Sequence, residues 1–287
     1  MIGIWIGVIT GIIILLIVSL SRVYHTPITP HSNTPGKYDI DFQEIRFPTQ
    51  NTRKLYGWWI PERIARMKRL PTIILIHGWS RNVERMLPYI RNLHGRGYNL
   101  LAFDARHHGS SDPDTFSSML KFAEDISAAV DFVSRKESAD PDLIGVLGLS
   151  IGGAGTIYAT AHDDRIKAVV TVGAFAHPAE VMKLEFSRRH FPYYPFIWLF
   201  FKYMEYRIGA KFDEIAPVNN ISIVKAHILL IHGQNDQTVP VEQGEHLYAV
   251  SNPDKTELWL QPDRGHSDCH RETGFWDRID DFFRTAF

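Results

Sequence analysis

Gly148-Leu149-Ser150-Ile151-Gly152 has the Gly-x-Ser-x-Gly spacing. The branched apolar run Leu143 to Leu147 precedes it, and a small-residue, helix-compatible run from Gly153 follows. A strand, one serine and a helix with almost no loop between them force a sharp turn. Such a turn presents the hydroxyl at the carboxyl end of a sheet, with the first helix amides pointing at the same spot. The plainer reading of Ser150 is a helix cap. A serine hydroxyl is a weak nucleophile; it needs a base within hydrogen-bond reach, and the base needs an acid that fixes its tautomer. Among 14 histidines, His266 in Pro262-Asp263-Arg264-Gly265-His266 follows a short predicted strand and precedes the last predicted helix. His270 is the alternative. In His232-Gly233-Gln234-Asn235-Asp236 the aspartate is better placed to reach out than the histidine. Taken alone, Asp236 could cap a turn and His266 could be a surface loop residue. Three such residues at the ends of three strands, in the order Ser150, Asp236, His266, point to acyl transfer. The oxyanion would need two backbone donors: the Ile151 amide, and the Trp79 amide in the loop after Thr72 to Ile76. Each is typically worth about 3 kcal/mol of barrier.

The elements that would carry these residues alternate. Tyr38 to Ile45 and Leu55 to Ile60 read as an edge pair. Thr72 to Ile76, Asn99 to Phe103, Leu143 to Leu147, Ala168 to Val172, Ala226 to Ile231 and Glu257 to Leu260 read as further strands. Helical spacing falls between them: Asn82 to His94 (interrupted by Pro88), Met119 to Lys136, the stretch to His162, Val241 to Val250 and Thr273 to Thr285. The expected fold class is α/β, a doubly wound and mainly parallel sheet. One insertion, about residues 176–218, breaks the alternation and is crowded with aromatic residues. It reads as helices burying those rings on the main domain, as a lid over the substrate, or as both. Trp79, Phe191 and Trp198 are the expected substrate contacts.

Met1 to Ser21 has no charged side chain, and Ile2 to Leu20 is almost wholly apolar, long enough to cross a bilayer. Residues 1–21 therefore read as a transmembrane anchor, with a cleaved signal peptide as the competing reading. Arg22 and Lys37 follow the span, which favours a cytosolic catalytic domain in a single-pass membrane protein. Residues 22–37, rich in proline, read as a stiff spacer, and residues 38–287 as the catalytic domain. Net charge is −1, so there is no basic field for nucleic acid. The one cysteine, Cys269, excludes an intrachain disulfide and a thiolate metal cluster.

His77-Gly78-Trp79, Asp104 to Ser111, Gly148 to Gly152, and Gly233 to Pro240 with Gly265-His266 together resemble the α/β-hydrolase superfamily. Within it, the chain is most similar to membrane-anchored serine hydrolases of the monoacylglycerol lipase and serine aminopeptidase group, from about residue 38 onward. The resemblance implies Ser150 as nucleophile, His266 as base, Asp236 as acid, no metal or organic cofactor, and a helical cap at the aromatic insertion. In such proteins the second motif usually reads Asp-x-Arg-Gly-His-Gly-x-Ser; His107 stands at the first glycine, so that loop is expected to differ in shape. The implied activity is hydrolysis of a hydrophobic acyl ester or thioester. The alternatives are cleavage of an aminoacyl amide or a non-catalytic binding protein on the same fold.

Overall fold

The computed structural model describes residues 28–62 and 68–287, with Gly11 and Val18. The expected anchor otherwise lies outside the described residues, as does the spacer before residue 28. Among the described residues no helix is long and apolar enough to cross a membrane.

Eight strands form one sheet: β1 (Gln43–Pro48), β2 (Lys54–Ile60), β3 (Leu70–Ile76), β4 (Asn99–Phe103), β5 (Ala139–Leu149), β6 (Ile166–Val172), β7 (His227–Gly233) and β8 (Thr256–Gln261). Their spatial order is β1-β2-β4-β3-β5-β6-β7-β8. β1 and β2 are antiparallel to their neighbours, and the rest run parallel. Parallel strands need crossovers over the sheet faces, so the central strands are buried on both sides and read as continuous apolar runs. The helices α1 (Leu87–Leu93), α2 (Met119–Val133) and α3 (Ile151–His162) follow β3, β4 and β5. α2 and α3 share one core with the sheet, through Phe122, Ile126 and Ile157. α1 and the last helix, Phe275–Ala286, share the core on the opposite face, through Ile90, Leu93, Ile279 and Phe283. Pro88 restarts rather than breaks its helix: a 3-10 turn at Val83–Met86 precedes α1, and the proline occupies the first turn, where no amide is required.

Two expectations are corrected at the amino end. Pro35–Tyr38 is a turn of 3-10 helix ended by Asp39 at φ 55°, so the edge strand begins at Gln43, not at Tyr38. The described part of the proline-rich segment is not a free spacer. Asn82 donates to the Thr29 carbonyl at 3.0 Å, and the Ser32 amide donates to Glu84 at 2.7 Å. The His31 ring stacks on Tyr56 at 5.2 Å, and Pro35 is buried.

The aromatic insertion forms a cap of α4 (Pro178–Arg188), a π-type turn at Tyr193–Ile197, α5 (Trp198–Ile208), α6 (Phe212–Ile215) and α7 (Pro217–Asn220). Phe186, Phe200 and Phe201 are buried and make a core with Phe212, Met119 and Val239. Gln243, in the helix α8 (Val241–Val250), holds the entry to the cap: its carbonyl accepts from the amides of Ala176 at 3.0 Å and His177 at 3.3 Å.

Candidate active site

β5 runs into α3 through Ser150, whose backbone lies at φ 52°, ψ −121°. This is a region that costs a non-glycine residue about 1–3 kcal/mol. The neighbouring glycines explain how the turn closes. A Cβ on Gly148 would stand 2.6 Å from the Gly152 carbonyl carbon, and one on Gly152 would overlap the His77 carbonyl. The Ser150 amide is tied to the Val172 carbonyl at 2.8 Å, which anchors the strained residue to β6.

Ser150 Oγ lies 3.0 Å from His266 Nε2, and His266 Nδ1 lies 2.6 Å from Asp236 Oδ2. A carboxylate only accepts, so Nδ1 carries the proton and Nε2 is left to accept from the serine hydroxyl. Asp236 is buried; its other oxygen, Oδ1, accepts from the amides of Thr238 and Val239, each at 2.8 Å. These bonds orient the carboxylate toward His266. His232 is not the base: Nε2 donates to the Val239 carbonyl at 2.9 Å, and burial lowers its pKa. His270 packs near Tyr89 and Trp276. Burial lowers its pKa as well. Cys269 is buried, and burial pushes its thiol up to about 12, so no thiolate competes with the serine.

One neighbour of the imidazole has no motif to announce it. Gly173 directly follows β6 at φ 67°, and a Cβ there would lie 3.1 Å from His266 Nδ1. A glycine that ends a strand is the signal that points to it.

The loop after β3 closes against the serine turn, with a Cβ on Gly78 only 3.3 Å from Ser150 Cβ. Its neighbour Trp79 lines the same cavity as Ser150 and Ile151, and the Ile151 amide, in the first turn of α3, has no carbonyl within the helix to bond. The loop rests on a buried histidine. His77 Nε2 accepts from the Ala105 amide at 3.1 Å, so Nδ1 donates to the Gly78 carbonyl at 2.7 Å. Burial, with the adjacent His108 second, lowers the His77 pKa to about 3 and keeps it neutral.

In the Asp104–Ser111 loop the position of the expected glycine takes a left-handed backbone, the conformation that glycine adopts most readily. His107 adopts φ 64°, and its Nδ1 accepts from the Asp114 amide at 3.1 Å. Asp104 accepts from the amides of Val83 at 2.6 Å and Ser110 at 2.8 Å; Arg106 donates to Asp125 at 2.6 Å and to Glu124. These groups brace the sheet edge beneath the site.

A cavity of about 360 Å³ opens on Ser150 and is roofed by the cap. Trp79, Ile151, Met119, Val181, Met182 and Met204 contribute its apolar wall. Phe191 and Trp198 do not line it. They lie on the outside of the cap at 38% and 40% exposure, which corrects their expected place against substrate. His190 is the cause: its left-handed backbone, φ 58°, and the π-type turn that follows reset the helical phase. Among the described residues no group of histidine, cysteine and carboxylate side chains could hold a metal ion.

The prolyl oligopeptidase family matches residues 120–287. The chain is 25% identical over 245 residues to the uncharacterised protein YfhR of Salmonella typhimurium, covering 84% of this chain and 80% of that one. It is 28% identical over 247 residues to its Escherichia coli counterpart, covering 84% and 78%. Among solved structures it is similar to the Pyrococcus furiosus esterase Pf2001, with a TM-score of 0.73 at 24% identity, covering 91% of this chain and 99% of that one. It is also similar to a Pyrococcus horikoshii acylaminoacyl peptidase, with a TM-score of 0.66 at 18% identity over 90% and 44% of the two chains. At these identities the structural likeness establishes the α/β-hydrolase fold. The narrower likeness to monoacylglycerol lipases stays an expectation of the sequence.

Proposed function

The chain belongs to the prolyl oligopeptidase family and has the fold of a hydrolase, and we propose that it is a serine hydrolase working through an acyl-enzyme on Ser150. The observation that carries this reading is the continuous hydrogen-bonded chain from Asp236 through His266 to the hydroxyl of a strained serine. His266 Nε2 takes the Ser150 proton as Oγ attacks the carbonyl carbon. The oxyanion is held by the Trp79 and Ile151 amides. Collapse breaks the bond to the leaving group, which receives the proton from His266, and the acyl group remains on Ser150. Water then gives a proton to His266 as its oxygen attacks the acyl carbon; the Oγ–acyl bond breaks, His266 returns the proton to Ser150 Oγ, and the acid leaves. Asp236 stabilises the imidazolium in both halves.

The apolar wall of the cavity supports a hydrophobic acyl ester or thioester as substrate. An aminoacyl amide is the second reading, favoured by the family match and by the likeness to an acylaminoacyl peptidase. A panel of p-nitrophenyl esters, acyl thioesters and aminoacyl p-nitroanilides, run with wild type and Ser150→Ala, decides between them. The ester or thioester is expected to have the highest kcat/KM, with loss of turnover in the variant. Turnover of no member, with the fold intact, would favour a binding protein instead. We read the apolar run Ile2 to Leu20 as a membrane tether. Deleting residues 1–21 should move the protein to the soluble fraction with ester hydrolysis retained.

A further inference from the structure

The wall of the cavity over Ser150 is largely apolar, yet three guanidinium groups, Arg188, Arg189 and Arg207, line it with a single carboxylate, Glu185. Arg189 consumes that carboxylate, at 2.8 Å. Arg188 donates to the Gln237 carbonyl. Arg207 lies 4.5 Å from the centre of the Phe116 ring and donates to the Tyr203 hydroxyl at 3.4 Å. Among the described residues neither Arg188 nor Arg207 has a carboxylate at ion-pair distance. Each guanidinium carries five donors, so most of theirs are uncommitted. Next to Phe116 on the same wall stands Ser117, 6% exposed, whose Oγ has no hydrogen-bond partner among the described residues. An orphaned buried hydroxyl costs about 1–3 kcal/mol. A ligand oxygen that reached this hydroxyl, after a small shift of the side chain out of its burial, would remove the penalty, and Arg207, packed on the adjoining Phe116, supplies a positive charge on the same wall.

We infer that this end of the cavity takes an anion, so the substrate is an acyl compound whose apolar chain ends in a carboxylate or phosphate. The anion accepts from Arg207 and Ser117, and Arg188 adds a second positive charge to the wall. Charge-assisted bonds of this kind are shorter and stronger than those between neutral groups. The inference rests on the serine hydrolase reading and names the substrate class of that same site.

The test uses two p-nitrophenyl monoesters of one long-chain dicarboxylic acid, identical except that the distal carboxylate is free in one and capped as a methyl ester in the other. Wild type is expected to favour the free carboxylate by about tenfold in kcat/KM. The double variant Ser117→Ala, Arg207→Met should bring the ratio within about twofold of one. The ratio is taken within one sample, so partial loss of folded protein cancels. A third ester ending in a phosphate monoester separates the two anions, and preference for either over the capped ester supports the inference. An arm without variants compares octanoate with octanol as inhibitors of wild type, with octanoate expected to bind about tenfold more tightly. Equal inhibition, a wild-type preference for the capped ester, or a preference that survives in the double variant would overturn the inference. Hydrolysis of the capped ester without preference sinks the anion site alone. Hydrolysis of none of the esters sinks the hydrolase reading and this inference with it.

Discussion

Gly173 lies against the ring of His266: a Cβ at Gly173 would stand 3.1 Å from Nδ1 and 3.5 Å from Asp236 Oδ2. The imidazole therefore keeps its place between Asp236 and Ser150 because the residue after β6 has no side chain. Gly173→Ala also forces a side chain onto a backbone at φ 67°, a cost of about 1–2 kcal/mol. The expected outcome is a folded protein whose kcat for a soluble ester is about 10–100-fold lower, from displacement of His266. A kcat within twofold of wild type would show that the ring has room to spare.

Asp236→Asn preserves shape but offers His266 an amide that can donate as well as accept. The wrong tautomer then faces Ser150, and kcat should fall by about 10⁴-fold with a far smaller change in KM. Steady-state kinetics checks it; a loss of tenfold or less would mean that the Thr238 and Val239 amides, not the carboxylate charge, set the ring.

The buried histidines make stability depend on acid. Burial lowers the His108 pKa from 6.5 to about 4, and its ring is wedged among His77, Trp79 and Phe122. Between those two values the unfolded chain binds a proton that the folded chain does not. Stability from this group is thus complete above about 6.5 and is lost as pH falls toward 4. Asp104 acts in the opposite direction: burial raises its pKa from 3.8 to about 7, so over that range the folded chain holds the extra proton and stability from this group falls as pH rises. A comparison of variants isolates the histidine. His108→Phe keeps a flat ring in the aromatic contact and should reduce the stability lost between pH 7 and pH 5 by on the order of 1–2 kcal/mol. Urea titration at both pH values measures it; an unchanged pH dependence contradicts the neutral buried imidazole.

Trp198 and Val181 make a matched test of where substrate sits. Trp198→Ala on the outer surface of the cap should change kcat/KM for a soluble ester by less than about twofold. Val181→Trp places a large ring in the cavity wall and should lower it by at least about tenfold through lost volume. The opposite ranking would return substrate to the outer face of the cap.

The strand ends that carry Ser150 and Asp236 were legible because a parallel strand buried on both faces shows as an apolar run; His266 follows the edge strand β8, which showed only as a short stretch before the last helix. Short loops then leave little freedom in where a side chain arrives. The cap was legible as an insertion but not in its orientation. Once His190 and the turn at Tyr193–Ile197 break the helical phase, no periodicity relates Phe186, which is buried, to Trp198, which is not. Ser117 and Arg207 escaped for a different reason: their significance lies in contacts between distant elements, for which the chain carries no local pattern, whereas Gly173 shows only as a glycine just past a strand. The Tyr38 boundary failed because alternation continues into a segment that Pro35 commits to a helical turn.

The most direct measurement is covalent labelling with a fluorophosphonate, read by intact mass and then by peptide mapping. One adduct per chain, on Ser150 and absent from Ser150→Ala, is the predicted result, with labelling slowed in Asp236→Asn. Labelling of wild type and Ser150→Ala to the same extent, or an adduct mapped to another residue, would remove Ser150 from the chemistry and the acyl-enzyme account with it.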